Sequence, residues 1–236
     1  MRLYHFLNAE HALDDIRKKR IKISLIPDLN DPFELWTIPL PTSQHRKVWQ
    51  ATVQDIGKKF GVICLSRNWS NPLLWSHYAH KHFGICLGFD VDDELIKDVI
   101  YRKSKLTCAI DVKKSNGGLN QERMQKILYT KFSDWRYEDE VRVMANLNDP
   151  EPCACPDNPN RLCYFSDFNS QLQLKEVIVG IRSKVTKAEI QKSLQDYQHH
   201  VEIIKARLAF NSFSIVPNKR GFLSYFIPNV NNLFRL

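Results

Sequence analysis

No apolar stretch in this chain approaches the length of a membrane span, which argues against a membrane-spanning helix. The opening residues, "MRLYHFLNAEHALDD", meet acidic side chains early and lack the apolar centre of a secretory signal, so a cytoplasmic protein is the expectation. No G-x-G-x-x-G or P-loop fingerprint is present, and dinucleotide-fold and ATPase readings lose their main support. Paired C-x-x-C spacing is missing as well. Neither an internal repeat nor a low-complexity linker divides the chain.

What is present fits a globular protein. The 236 residues are 43% hydrophobic and 11% aromatic, enough for a core and too apolar for wholesale disorder. The formal charge is +8, which suits a polyanionic partner such as DNA or RNA. The basic residues are spread along the chain, with local concentrations at "RKKRIK", "YRKSK" and "NKRGF".

Six cysteines are expected to be reduced. Cys64 and Cys86 sit in the apolar runs "GVICLSR" and "GICLGFD" as small buried hydrophobes. Cys153, Cys155 and Cys163 cluster in "EPCACPDNPNRLC", where a zinc site would need a fourth ligand from elsewhere; residues 149–163 read as a Pro-rich insertion loop. His77, His80 and His82 lack a paired acidic ligand on their helix, so no metal is expected.

Periodicity predicts strands at "RLYHFLN", "IKISLI", "GVICLSR", "FGICLGFD", "DVIYRKS", "EDEVRVMANL", "LKEVIVGI" and "VEIIKARLAF". Helices are predicted at "AEHALDDIRKKR" behind an Asn8 cap, over 42–60, after Asn71-Pro72, at "NQERMQKILYTKF" and at "TKAEIQKSLQDYQ". Strands separated by modest helices without a βαβ rhythm indicate a single α+β domain over 1–210, with mixed or antiparallel sheets. Residues 211–236 form an aromatic extension expected to dock on the body or on a partner.

Four places carry candidate chemistry: Tyr4 and His5 on the first strand; the turn "NDPFE" with Asn30 and Asp31; Trp75, His77 and Tyr78 after Pro72; and "WRYEDEVR" with Glu138 and Glu140. If Glu138 and Glu140 share a strand, both carboxylates face one side, a costly arrangement unless it is used. Arg136 and Arg142 are the counter-charges expected on a solvated edge.

In order, "NDPFE", "NPLLWSHYAHKHFGICLGF", "VIYRKSK", "WRYEDEVRV" and "KEVIVGI" resemble a widespread bacterial family catalogued as a domain of unknown function, over residues 3 to about 182. Its pattern is N-D-P-F, M-W-x-H-Y-A, G-x-C-x-x-F and W-x-Y-E-x-E-x-R. A second resemblance, "LYHFLNAEHALDDIRKKRIKIS", is to the opening of ADP-ribosyltransferases of the His–Tyr–Glu branch. It implies an ADP-ribosyltransferase-like fold that consumes NAD. By that resemblance His5 binds the NAD ribose, Glu140 stabilises the oxocarbenium-like transition state, and Glu138 orients the acceptor. Tyr78 stacks on nicotinamide, with Tyr101 as the fallback. Tyr4, Asn30, Asp31 and Trp75 complete the NAD pocket, and Arg17, Arg20 and Arg67 are diphosphate candidates by charge. The acceptor is then DNA or RNA, in a toxin or defence role. The competing reading is a nucleic-acid-binding protein or a metal-independent nuclease using His5, His77 and the carboxylates.

Overall fold

Asn8 opens the first helix by accepting the His11 backbone N–H with its side chain, and Lys19 closes it in the left-handed region. The same local logic recurs along the chain. Thr42, Asn71, Asn120 and Thr186 each cap the helix that follows, with Pro72 at a first-turn position and a full capping box at Thr186 and Glu189.

A computed structural model describes residues 1–222 apart from 115, 149, 151, 156 and 157. In chain order its elements begin with β1 (Arg2–Leu7), α1 (Ala9–Lys18), β2 (Arg20–Leu25), α2 (Ser43–Gly57) and β3 (Phe60–Ser66). There follow α3 (Pro72–Tyr78), β4 (Ile85–Val91), β5 (Ile96–Asp98), β6 (Ile100–Arg102), α4 (Gln121–Leu128) and β7 (Thr130–Phe132). The remainder comprises β8 (Glu140–Asn146), β9 (Cys153–Cys155), β10 (Asn158–Asp167), β11 (Leu172–Val179), α5 (Lys187–Ser193), β12 (Glu202–Leu208) and β13 (Ile215–Pro217).

Among the described residues, eleven strands form one sheet in which β11 and β12 run parallel and the other neighbours antiparallel; β6 and β7 make a separate parallel pair. The architecture is α+β, as the spacing of elements predicts. One core contains Leu3, Leu87 and Phe89 of the central strands together with Ala12 and Ile16 of α1 and Ile190 of α5. A second joins Trp49 of α2 to Ile127 of α4, and a third packs Phe6, Cys86 and Ile178 against Leu74 and Trp75 of α3. No helix among the described residues is long and apolar enough to cross a membrane.

The feature that positions the site is a fork. One edge of β3 pairs along its length with β8, from Phe60↔Asn146 to Ser66↔Glu140. The other edge is divided between two strands: β1 meets it only at Tyr4↔Ser66, and β2 only at Ser24↔Val62 and Leu25↔Gly61. Between those contacts β1 and β2 part, and a cleft opens.

Two expectations are corrected here. Residues 153–155 and 158–167 form a β-hairpin that continues the sheet beyond β2, rather than a free insertion loop. In that hairpin Cys155 and Cys163 form a disulfide, while Cys64, Cys86, Cys108 and Cys153 are free thiols. Folding back the two strands brings Cα atoms eight residues apart to 5.1 Å, which extended spacing along the sequence does not reveal. Of the aromatic extension, β13 pairs with the edge of β12; from residue 223 onward it lies outside the described residues.

Candidate functional site

The fork holds a cleft of about 250 Å³. Tyr4 and His5 of β1, Asn30 of the "NDPFE" turn, Tyr78 of α3, and Glu138 and Glu140 all line it, together with Glu34, Cys64 and Lys131. His5 and Glu140, 135 residues apart, thus face one space.

His5 donates from Nδ1 to the carbonyl of Cys64 at 3.0 Å; a carbonyl only accepts, so Nδ1 carries the proton. Burial holds the imidazole below its ordinary pKa, which keeps the ring neutral and leaves Nε2 as an acceptor. The neighbouring Cys64 thiol is pushed well up by burial and by the Glu140 charge, so it is not a thiolate nucleophile.

Glu138 does not lie on a strand. It ends a 3₁₀ turn, Ser133–Glu138, and Asp139 follows at φ 44° before β8 begins at Glu140. The turn, not strand alternation, sets the two carboxylates side by side, and Asp is among the few non-glycine residues that accept the left-handed region. It is pinned on several sides. Ser66 Oγ donates to the Glu138 carbonyl at 2.6 Å, Asn71 Nδ2 to the Tyr137 carbonyl at 3.0 Å, and the Arg67 N–H to the Asp139 carbonyl at 3.1 Å. The Glu140 N–H donates to Tyr101 Oη at 2.8 Å, so Tyr101 positions the backbone here from outside the cleft lining.

Both carboxylates are buried, at 4% and 5% exposure, and the expected solvated edge does not exist. Lys131 Nζ sits 2.6 Å from Glu138 Oε2 and 2.9 Å from Glu140 Oε2. Arg142, 1% exposed, donates from Nε to Glu140 Oε1 and from Nη2 to Glu34 Oε1, each at 2.7 Å, and from Nη1 to the Leu128 carbonyl. Arg136 takes no part; it lies over the Tyr101 ring. Three carboxylates against two cations leave the cluster with one net negative charge.

The pair is electrostatically divided. Burial pushes Glu138 above the ordinary carboxylate range, against the pull of Lys131. Glu140 goes the other way, to about 2, because Arg142 and Lys131 outweigh the cost of burial. Tyr78 donates its hydroxyl to Glu138 Oε1 and accepts from Asn30 Nδ2 at 3.0 Å; burial beside that carboxylate raises its pKa. Burial and then Glu176 raise Tyr4 to about 12, so it remains a neutral phenol.

Two expected site residues do not reach the cleft. Asp31 spends its carboxylate on the Phe33 N–H at 2.9 Å and fixes the turn. Trp75 is fully buried, donating its indole N–H to the Trp69 carbonyl at 2.6 Å and packing edge-on against Phe6. His77 is exposed on α3 among Trp135 and Tyr137. Arg17 pairs with Asp14, Arg20 covers Phe165, and Arg67 pairs with Asp98; none of them lines the cleft. Sequence reasoning passed over Glu34 and Lys131. Glu34 ends the quoted "NDPFE" motif, a usable signal, whereas nothing in "YTKFSD" marks Lys131.

No curated protein and no solved structure matches the chain. Residues 74–143 match the profile of a family described as "Protein of unknown function (DUF2971)", a shorter stretch than the motifs suggest. Over that stretch, which holds most of α3 and the glutamate pair, the chain is similar to an uncharacterised family.

Proposed function

We propose that the protein is an NAD-consuming ADP-ribosyltransferase or NAD glycohydrolase, with a nucleic-acid acceptor favoured by its +8 charge. The observation that carries this reading is the divided carboxylate pair facing a neutral histidine across one cleft. Two carboxyl groups whose surroundings push their pKa values apart are suited to separate roles, one as base and one as permanent anion.

In this reading His5 Nε2 accepts a ribose hydroxyl and fixes the sugar. The bond between C1′ and the nicotinamide nitrogen breaks, its electron pair leaving with a nicotinamide that becomes neutral. Positive charge develops at C1′ in a buried site that carries one surplus negative charge, where such stabilisation is strongest. Glu140, ionised at any physiological pH, supplies the anion. A hydroxyl of water or acceptor attacks C1′ and passes its proton to Glu138, whose raised pKa makes it the better base of the two. Tyr78 holds the Glu138 carboxylate in place and is itself held by Asn30. A metal-independent nuclease would use His5, His77 and the carboxylates, and of these His77 stands outside the cleft, which favours the NAD-cleaving reading.

The test is release of nicotinamide from NAD by purified protein, with and without DNA or RNA, followed by chromatography. Glu138→Gln and Glu140→Gln, each verified as folded by circular dichroism, should lower release by about 100-fold or more. Wild-type protein that leaves NAD intact with every acceptor, or folded variants that turn over normally, would overturn the reading.

A further inference from the structure

The "NDPF" motif contains a side chain that the cleft does not use. Phe33 is 61% exposed, yet the turn presenting it is rigid: Asp31 binds its N–H, Pro32 fixes the backbone, and Leu35 is buried at φ 63°. Consecutive residues thereby go opposite ways, Glu34 inward to Arg142 and Phe33 outward. Phe33 stands at a second pocket, of about 270 Å³, with Trp36 and the 45%-exposed Phe132. Arg102, Lys103 and Lys105 complete its rim.

The chemistry of this pocket is unlike that of the cleft. No carboxylate lines it, and Arg102, Lys103 and Lys105 are exposed without a salt bridge among the described residues. The Thr37 hydroxyl at its wall is buried and has no hydrogen-bond partner among the described residues. Lys131 borders both pockets, so the two share a wall.

We infer that this pocket binds single-stranded nucleic acid, with bases stacked on Phe33, Trp36 and Phe132 and phosphates held by Arg102, Lys103 and Lys105. Exposed Phe33 and Phe132, with the half-buried Trp36 as the floor between them and the core, stand beside unpaired cations and match what an unpaired strand offers, namely base faces to stack and a charged backbone to neutralise. A duplex hides its base faces and fits poorly. An acidic protein would satisfy the cations but leave the aromatic platform unused. The shared Lys131 wall makes the bound strand the acceptor nearest the cleft; that acceptor role rests on the NAD-cleaving reading, whereas the binding does not.

The test is fluorescence anisotropy of the full chain with labelled single-stranded RNA, single-stranded DNA and a duplex of the same sequence. Wild type should bind one or both single strands more tightly than duplex, with affinity falling as salt rises. Phe33→Ala with Phe132→Ala should weaken binding about tenfold or more, and Phe33→Tyr should largely retain it. Lys103→Glu with Lys105→Glu should weaken binding and flatten its salt dependence. These side chains are exposed, so the variants should fold, and thermal melts check that they do. Equal or tighter binding of duplex, no binding of single strands, or variants that bind like wild type would overturn the inference. Wild-type nicotinamide release is scored separately, so failure of the NAD reading is visible on its own.

Discussion

Replacing Lys131 with methionine removes the cation on which three buried carboxylates converge, while roughly preserving the length of the side chain. The Lys131 ammonium lies 2.6 Å from Glu138, 2.9 Å from Glu140 and 3.3 Å from Glu34, and its side chain is 3% exposed. Without it Glu138 has no cation in contact and keeps only the Tyr78 hydroxyl, while Arg142 must serve both Glu34 and Glu140. Breaking a buried pair from one side costs about 3–5 kcal/mol at neutral pH, because the charge left behind is desolvated and unpaired. For a domain of this size that lowers Tm by roughly 10 °C. The pH dependence gives a sharper test than the size of the loss. Lys131 holds Glu138 down in the wild type, so its removal lets that carboxyl rise further and take a proton more readily as pH falls. The deficit relative to wild type should therefore shrink as pH falls from neutrality into the acid range. Below that, wild type declines on its own account. Glu140 is depressed to about 2, so its contribution is complete above its unfolded value and is lost as pH falls through about 2. Thermal melts by circular dichroism across this range decide the matter. A wild-type Tm at neutral pH, or a deficit that does not change with pH, would refute the account of the cluster.

The other predictions concern single features. Tyr78→Phe keeps the ring and removes a hydroxyl that favours ionised Glu138, so under the proposed NAD-cleaving reading the acid limb of turnover should move to higher pH; an unmoved limb excludes Glu138 as the titrating base. Gly84→Ala should cost about 3 kcal/mol or more in urea unfolding, because the added carbon, just before β4, would lie 2.0 Å from the Leu7 carbonyl oxygen at the end of β1. Burial raises Asp15 to about 7, so this residue costs stability increasingly as pH rises from its unfolded value through about 7. Asp15→Asn should accordingly raise Tm above neutrality and leave it little changed near about pH 4; equal shifts at both would contradict the burial argument. Peptide mapping without reductant should recover Cys155 linked to Cys163, with Cys64, Cys86, Cys108 and Cys153 alkylated.

Local chemistry made much of the fold legible in the amino-acid sequence. Asn8, Asn71 with Pro72, and Thr186 start helices because a cap needs only its own following turn. The apolar runs of β3 and β4 identify themselves because strands buried on both faces carry little else. The closeness of Glu138 and Glu140 was legible too, but its mechanism was not: a 3₁₀ turn and a left-handed Asp139 set it, not a strand. Which cation meets them was beyond sequence spacing. Arg136 is two residues from Glu138 and turns away, while Lys131 is seven away and joins Glu34, nearly a hundred residues upstream. The disulfide of Cys155 and Cys163 likewise awaited the hairpin that brings them together. The fork itself depends on how β1 and β2 divide one edge of β3. Caps and strand patterns are decided within a few residues, so the sequence states them. The cleft, its surplus charge and its divided carboxylates arise from contacts between distant segments, and only the order of strands in the folded sheet brings those segments within reach.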